Sequence, residues 1–501
     1  MIRIVIPTGW LVGFLTAWLG LTQLLLWRFL DVMPPWAYPA GMLVLAAIVW
    51  GIVRTTRPGA ADAPSTPGPT VSTLLLCVLV SLTLFVLAGE GRFFYSNVDW
   101  QVRDAVLRDM AVNPWPFVYT ARGAPDVLRA PLGLYFLPAL GFKLAGSRAA
   151  DLTMLLQNTV LLSTLLALGS GVFANRRQKL IALVIVIFFS GLDIVGQLAL
   201  RGFLVEHLEF WSGLQFSSNV TLAFWVPMHA LSGWIGAVMF LLWRSERISL
   251  GALLAVQPLL ALLSPLALIG SLPFAAYAAA TALWKRQIGA ETILLPALAT
   301  LFAVPTMLYL GSANHEVGIR LYDVGLLRFV VFQAIEVLPF LIPVLWAAIR
   351  TRTDVGPLLV VAATLMVVPF IQIGWTIDVM MRASITPLAL LSVYVAKRLF
   401  QPGDGTLDVA KVWLIICLLL GSVTGLFEIR RAFIRPPSPW GHCSFFKAWD
   451  QTFFMYPKGS YLAPLAEMPA MVKPANPTRI SPVEPASCWS GLWKRPTGLG
   501  S

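Results

Sequence analysis

The sequence predicts an all-α polytopic membrane protein of about 13 transmembrane helices, and three observations carry that reading. Hydrophobic residues are 58% of the 501-residue chain and charged residues 12%, far from the balance of a soluble domain. The apolar residues form continuous runs of about 20, the length a helix needs to cross a bilayer. Backbone in lipid must satisfy its own hydrogen bonds, so these runs are helices. The third observation is sidedness. Short basic clusters alternate along the chain with loops that hold nearly every acid, histidine and isolated arginine.

The basic clusters are Arg54/Arg57, Arg176/Arg177/Lys179, Arg244/Arg247, Lys285/Arg286, Arg350/Arg352 and Lys397/Arg398. The positive-inside rule puts all of them in the cytoplasm. Spans at 4–27, 35–53, 71–89, 151–174, 180–200, 223–243, 248–264, 265–284, 290–311, 325–349, 355–373, 384–399 and 409–427 satisfy it throughout. The amino terminus is then inside and the carboxyl tail outside, as expected for a bacterial inner (plasma) membrane protein. Residues 131–146 are apolar but short, broken by Pro138 and marked by Lys143, which predicts a juxtamembrane or re-entrant helix. The net charge of +12 comes from pairs flanking membrane spans, which suits anionic lipid headgroups and argues against nucleic acid.

The Pro/Ala/Ser/Thr stretch 58–70 predicts a flexible cytoplasmic linker. It divides an accessory amino-terminal hairpin (1–57) from the main body (71–427), whose large outer loop is 90–150. Residues 428–501, rich in proline and glycine, predict a small irregular outer appendage. Cys77 and Cys417 fall within spans as small apolar residues. Cys443 and Cys488 share the tail, where an oxidising compartment permits a disulfide.

Chemistry is expected in the outer loops. In 98–110, Val102, Val106, Leu107 and Met110 recur at helical spacing, while Asp99/Arg103 and Asp104/Arg108 stand four apart on the polar side. This predicts an amphipathic helix lying on the membrane surface. Asp99 either deprotonates a bound hydroxyl or only pairs with Arg103 on a wet face. The second loop holds Arg201 and Glu206/His207, which adjacent spacing assigns to the surface, and Asn219-Val220-Thr221 fits a glycosylation triplet. His229 lies a few residues into a span behind Pro227, where an ionisable group faces a cavity or a hydrogen-bond partner. The third loop contains His315 and Arg320. The fourth puts Asp378 and Arg382 four apart at headgroup depth, where a guanidinium can hold a phosphate or snorkel.

If the bundle closes, these groups share one outer cavity lined by His229, Asp378, Asp104 and His315. An acid to take a proton and arginines to hold a phosphate (Arg382, with Arg320 or Arg201) are what transfer from a lipid-phosphate donor requires. No Cys/His spacing resembles a zinc site.

At this point the chain resembles the GT-C superfamily of polytopic glycosyltransferases, which includes protein O-mannosyltransferases and lipid A aminoarabinose transferases. The resemblance rests on Asn97-Val98-Asp99-Trp100 opening the first large outer loop and on Leu128-Arg129-Ala130-Pro131-Leu132-Gly133-Leu134-Tyr135 after it. The span count, outer tail and basic turn at 173–179 agree with it. The segments around His229 and Arg382 look like motifs of bacterial membrane proteins in this broad group. The resemblance implies a polyprenyl-phosphate-sugar donor, a lipid, glycan or protein acceptor, and Asp99 as the base. Asp99 is followed by Trp100 rather than by the second acid of several branches, which leaves acceptor class and any divalent-metal requirement open. The rival expectations are a transporter or flippase of lipid-linked or anionic substrates, a lipid-diphosphate-dependent polysaccharide polymerase or ligase, and a noncatalytic assembly subunit.

Overall fold

The computed structural model describes residues 4–56, 68–402, 408–481, 484–489 and 493. Most of the linker expected at 58–70 lies outside the described residues. The chain is mostly helical. α1 (Thr8–Leu30) and α2 (Ala37–Arg54) form a hairpin, and α3 (Val71–Leu87) leads into the first large loop. That loop contains α4 (Asp99–Val112), β1 (Phe117–Tyr119), β2 (Asp126–Leu128) and α5 (Phe136–Ala145). The body continues through α6 (Ser147–Gly169), α7 (Arg176–Phe188), α8 (Asp193–Arg201), α9 (Asn219–Trp225), α10 (Pro227–Arg244), α11 (Leu250–Leu259), α12 (Pro265–Trp284) and α13 (Ala290–Leu310). Next come β3 (Ile319–Leu321), α14 (Leu326–Glu336), α15 (Leu338–Thr351), α16 (Val355–Val367), β4 (Ile371–Ile373), α17 (Asp378–Ala383), α18 (Ile385–Phe400) and α19 (Val409–Ile434). The tail adds α20 (Phe445–Thr452), β5 (Leu462–Pro464) and β6 (Thr478–Ile480).

Among the described residues, 8 helices are long and apolar enough to cross a membrane, or 9 if the bent pair α14–α15 is one span. Length therefore supports a polytopic membrane protein with fewer unbroken crossings than the expected 13. Spans expected at 71–89, 248–264 and 355–373 appear as shorter apolar helices. The one expected at 223–243 is split where Val226 leaves helical geometry before Pro227, because a residue preceding proline disfavours the α conformation. α5 has 10 residues, half the length a crossing needs.

Two expected divisions dissolve in the packing. The amino-terminal hairpin is built into the body rather than accessory to it. Gln23 of α1 donates to the Leu259 carbonyl at 3.3 Å and accepts from Thr306. Phe29 meets Trp115, Phe117 and Phe136 edge-on at 5.5, 5.6 and 5.9 Å. The tail is likewise no appendage, since α19 runs through the expected boundary at 428. The tail and the first loop form one four-stranded sheet of order β5-β2-β1-β6. β1 runs parallel to β6 with Val118 opposite Arg479, and β2 runs antiparallel to β5 with Val127 opposite Ala463. Cys443 and Cys488 are disulfide-bonded, with Cα atoms 4.8 Å apart.

Candidate functional site

α4 is the frame of the site. Its start is pinned to the end of α9, where the Phe224 carbonyl accepts from Asn97 Nδ2 at 2.7 Å and from Trp100 Nε1 at 2.9 Å. Asn97 Oδ1 accepts the Asp99 amide at 3.0 Å. The helix is not the wet surface helix its spacing predicts. Apolar and polar residues alike are buried, including Gln101, Arg103, Asp104 and Asp109, because the tail covers the face that solvent would have occupied. Thr452 of α20 donates to Gln101 at 2.8 Å, and the Phe445 amide donates to Asp109 at 2.9 Å.

Asp99 pairs with Arg103 at 3.3 Å. Arg103 also donates to the Met228 sulfur at 3.3 Å and faces the Tyr135 and Tyr461 hydroxyls. Burial pushes both tyrosines above their ordinary range, so both hydroxyls stay neutral beside the guanidinium. Arg382 on α17 pairs with Asp378 at 3.2 Å, and Thr376 donates to the same aspartate. α17 sits tightly on α12 because Gly270 offers no side chain; a Cβ there would lie 2.1 Å from the Ala383 carbonyl oxygen. His229 Nδ1 is 2.7 Å from Ser264 Oγ, the hydroxyl that caps α12.

Asp99, Arg103 and Tyr461 all lie within electrostatic reach of Arg382, and His229 lies within reach of both arginines. One cluster therefore joins α4, α10, α17, the segment before α5 and the tail. Its carboxylates are its open groups, with side chains 19% (Asp99) and 39% (Asp378) exposed against 6% and 10% for Arg103 and Arg382. The Nε atoms of Arg103 and Arg382 are buried with no hydrogen-bond partner among the described residues. Such an arrangement can take a proton at its mouth and hold an anion beneath.

The other expected members lie elsewhere. Asp104 pairs with Arg92 at 2.9 Å rather than with Arg108, which instead bonds Asp109 at 3.0 Å. Arg92 also holds Asp151 at 3.1 Å and lies over the Trp440 ring, so Asp104 belongs to a clamp joining loop, α6 and tail. Arg320 is an exposed residue on the β3–β4 ribbon, bonded to Gln372 at 3.0 Å and Gly374 at 3.3 Å. Arg201 donates to the Phe210 carbonyl at 3.0 Å. His315 is exposed and stands 3.6 Å from Glu467 of the tail. His207, expected at the surface, is buried against Trp225, 3.4 Å from Glu428. Asn219 is buried too, its amide donating to the Val186 carbonyl at 2.6 Å, which leaves no acceptor for a glycan.

Tyr461 and Tyr135 are the members that sequence reasoning did not single out. Tyr135 ends the quoted segment 128–135, a usable signal; Tyr461 arrives through tail strand pairing and has none. Among the described residues, no group of three or more His, Cys, Asp or Glu side chains is placed to hold a metal ion. A surface cavity of about 550 Å³ lies apart from this cluster, between Arg122 of the first loop and Phe446, Lys447 and Lys458 of the tail. No family model matches the chain, and no curated protein or solved structure matches it either.

Proposed function

We propose that the chain is an inverting glycosyltransferase that moves a sugar from a polyprenyl-phosphate carrier to a hydroxyl or phosphate acceptor at the outer membrane face, in assembly or modification of a bacterial cell-envelope glycan. Asp99 removes the proton of an acceptor hydroxyl as its oxygen attacks the anomeric carbon. The bond from that carbon to the carrier phosphate breaks, and the phosphate leaves with the bonding electrons. Arg382 stabilises the growing charge, and Arg103 takes the supporting part expected of Arg201 or Arg320. Pre-aligned donors of this kind are commonly the largest electrostatic contribution to catalysis. His229, in reach of both guanidiniums, orients the phosphate or sugar. The observation that carries the reading is the juxtaposition of the partly open Asp99 carboxylate with the buried Arg382 guanidinium.

The test is release of free polyprenyl phosphate from a panel of polyprenyl-phosphate sugars by protein in lipid nanodiscs, with a crude membrane extract as acceptor. Release with one donor that is lost in Asp99→Asn is expected. No release with any donor overturns the reading, and release from a diphosphate donor replaces it with a polymerase or ligase. A second reading, transport of a lipid-linked or anionic substrate, draws on the interrupted helices α7–α8 and α14–α15 with buried acids at their breaks. Carrier translocation in liposomes that survives Asp99→Asn favours it.

A further inference from the structure

Two helices break at one place away from the Asp99 cluster. The apolar run 176–201 leaves helical form at Phe189–Leu192, and α14 turns by 65° into α15 just after Glu336. Asp193 opens α8 and Glu336 closes α14, so the broken ends each carry an acid. Both residues are buried, 1% and 2% exposed, and interact across the break, where the Leu192 amide donates to the Ile335 carbonyl at 3.4 Å. Gly191 makes the approach possible, since a Cβ there would stand 1.5 Å from Glu336 Oε2.

The donors around the pair are used on the outer oxygens. Asp193 Oδ2 accepts from Ser190 at 2.8 Å and from Thr424 of α19 at 2.9 Å. Glu336 Oε1 accepts from Trp211 Nε1 at 2.8 Å. Each carboxyl is left with one buried oxygen, Asp193 Oδ1 and Glu336 Oε2, that meets no donor among the described residues. The charged groups facing the pair are Glu209 and His207, both from the loop after α8. Glu428 and Arg431 of α19 are bonded to each other, with Glu428 also next to His207. Two adjacent buried carboxylates cannot both ionise without a compensating charge, and one proton between them gives both orphan oxygens a hydrogen bond.

We propose that Asp193 and Glu336 form a proton-binding site, with one proton held between Glu336 Oε2 and Asp193 Oδ1 to join the two broken helices. Hydronium gives the proton to one carboxylate and leaves as water; the O–H formed donates to the other carboxyl. His207 and Glu209 lead from the pair toward the partly exposed Glu206–Arg435 ion pair, which gives solvent protons a route. Burial and the Asp193 carboxylate push Glu209 up to about 7, so this neighbour can itself exchange protons near neutrality. Loss of the shared proton sets like charges against each other and drives α8 from α14. The site is independent of the Asp99 cluster and stands whether or not the transferase reading does.

Infrared difference spectroscopy on protein in lipid nanodiscs tests it, comparing wild type with Asp193→Asn/Glu336→Gln, a neutral pair of the same shape. The expected result is a protonated-carboxyl C=O band at neutral pH in the wild type that is absent from the double variant. Coincident spectra in that region overturn the proposal, including the case in which a metal cation rather than a proton bridges the pair. Hydrogen exchange gives a second readout. Amides at 189–192 and 336–338 are expected to lose protection as pH rises in the wild type and to stay pH-independent in the variant. Equal pH dependence in both proteins overturns the locking role.

Discussion

The Arg103 guanidinium stands 3.3 Å from the Asp99 carboxylate one helical turn before it, and it is the more deeply buried partner of the two. The pairing keeps Asp99 aimed, while the open side of the carboxylate remains free to meet a substrate. Asp99→Asn is expected to lower turnover by about 10²–10⁴-fold, the usual range for loss of a general base. α4 should keep its place, because its anchor is Phe224 rather than Asp99. Single-turnover transfer rates together with a melting curve separate the two effects.

Arg382→Ala is expected to cost about 10²–10³-fold in turnover, as removal of a transition-state charge donor does. Arg382→Lys should recover little, because a point charge cannot present a planar fork to a phosphate. Gly270→Ala probes the same residue without altering a charged side chain. Its methyl group would collide with the Ala383 carbonyl and lift α17, so activity should fall alongside a stability loss of about 1–3 kcal/mol. Normal activity in Gly270→Ala would show that the seat of α17 does not set the position of Arg382.

Asp109 gives the dock between loop and tail a pH dependence. Burial raises its carboxyl to about 6 against the pull of the Phe445 amide, the Tyr119 hydroxyl and Arg108. The unfolded chain titrates near the ordinary aspartate value of about 3.9. Between these two values the folded state holds the extra proton. This contribution to stability is therefore complete below about pH 4 and is lost as pH rises through about 6. A plot of Tm against pH should slope downward more steeply over that window in the wild type than in Asp109→Asn. Parallel curves would remove Asp109 from this role.

The Cys443–Cys488 bond closes a loop with a sequence separation of 45, for which chain entropy predicts about 4 kcal/mol of stabilisation. Cys443→Ser/Cys488→Ser should loosen α20 and the strands around it, seen as faster proteolysis of the tail. The buried Cys77 and Cys417 lie outside that unit, so their serine variants serve as controls.

The sequence made the membrane helices legible because apolar run length is a local property, and it brought Asp99 and Arg382 forward because each is an acid or base beside a membrane boundary. It misplaced residues whose partner is chosen by distant packing. The i, i+4 rule pairs Asp104 with Arg108, yet Arg92 takes Asp104 and Arg108 turns to Asp109. The spacing of Val102, Val106, Leu107 and Met110 marks one apolar face of α4, but nothing nearby in sequence announces the tail that buries the other. Strands of three residues, such as β5 and β6, carry no period from which to read them.

The parallel pairing of β1 with β6 ties Phe117–Tyr119 to Thr478–Ile480, 361 residues later in the chain. A ribosome delivers these partners in order, so the segment bearing Asp99 is made first and waits for α20 and then for β6. A nascent chain cut short before residue 445 holds its membrane helices but leaves α4 bare on the face that α20 encloses. Competence is thus gained only once the tail has been made, and a copy lacking it displays the buried surface of α4 to proteolytic surveillance.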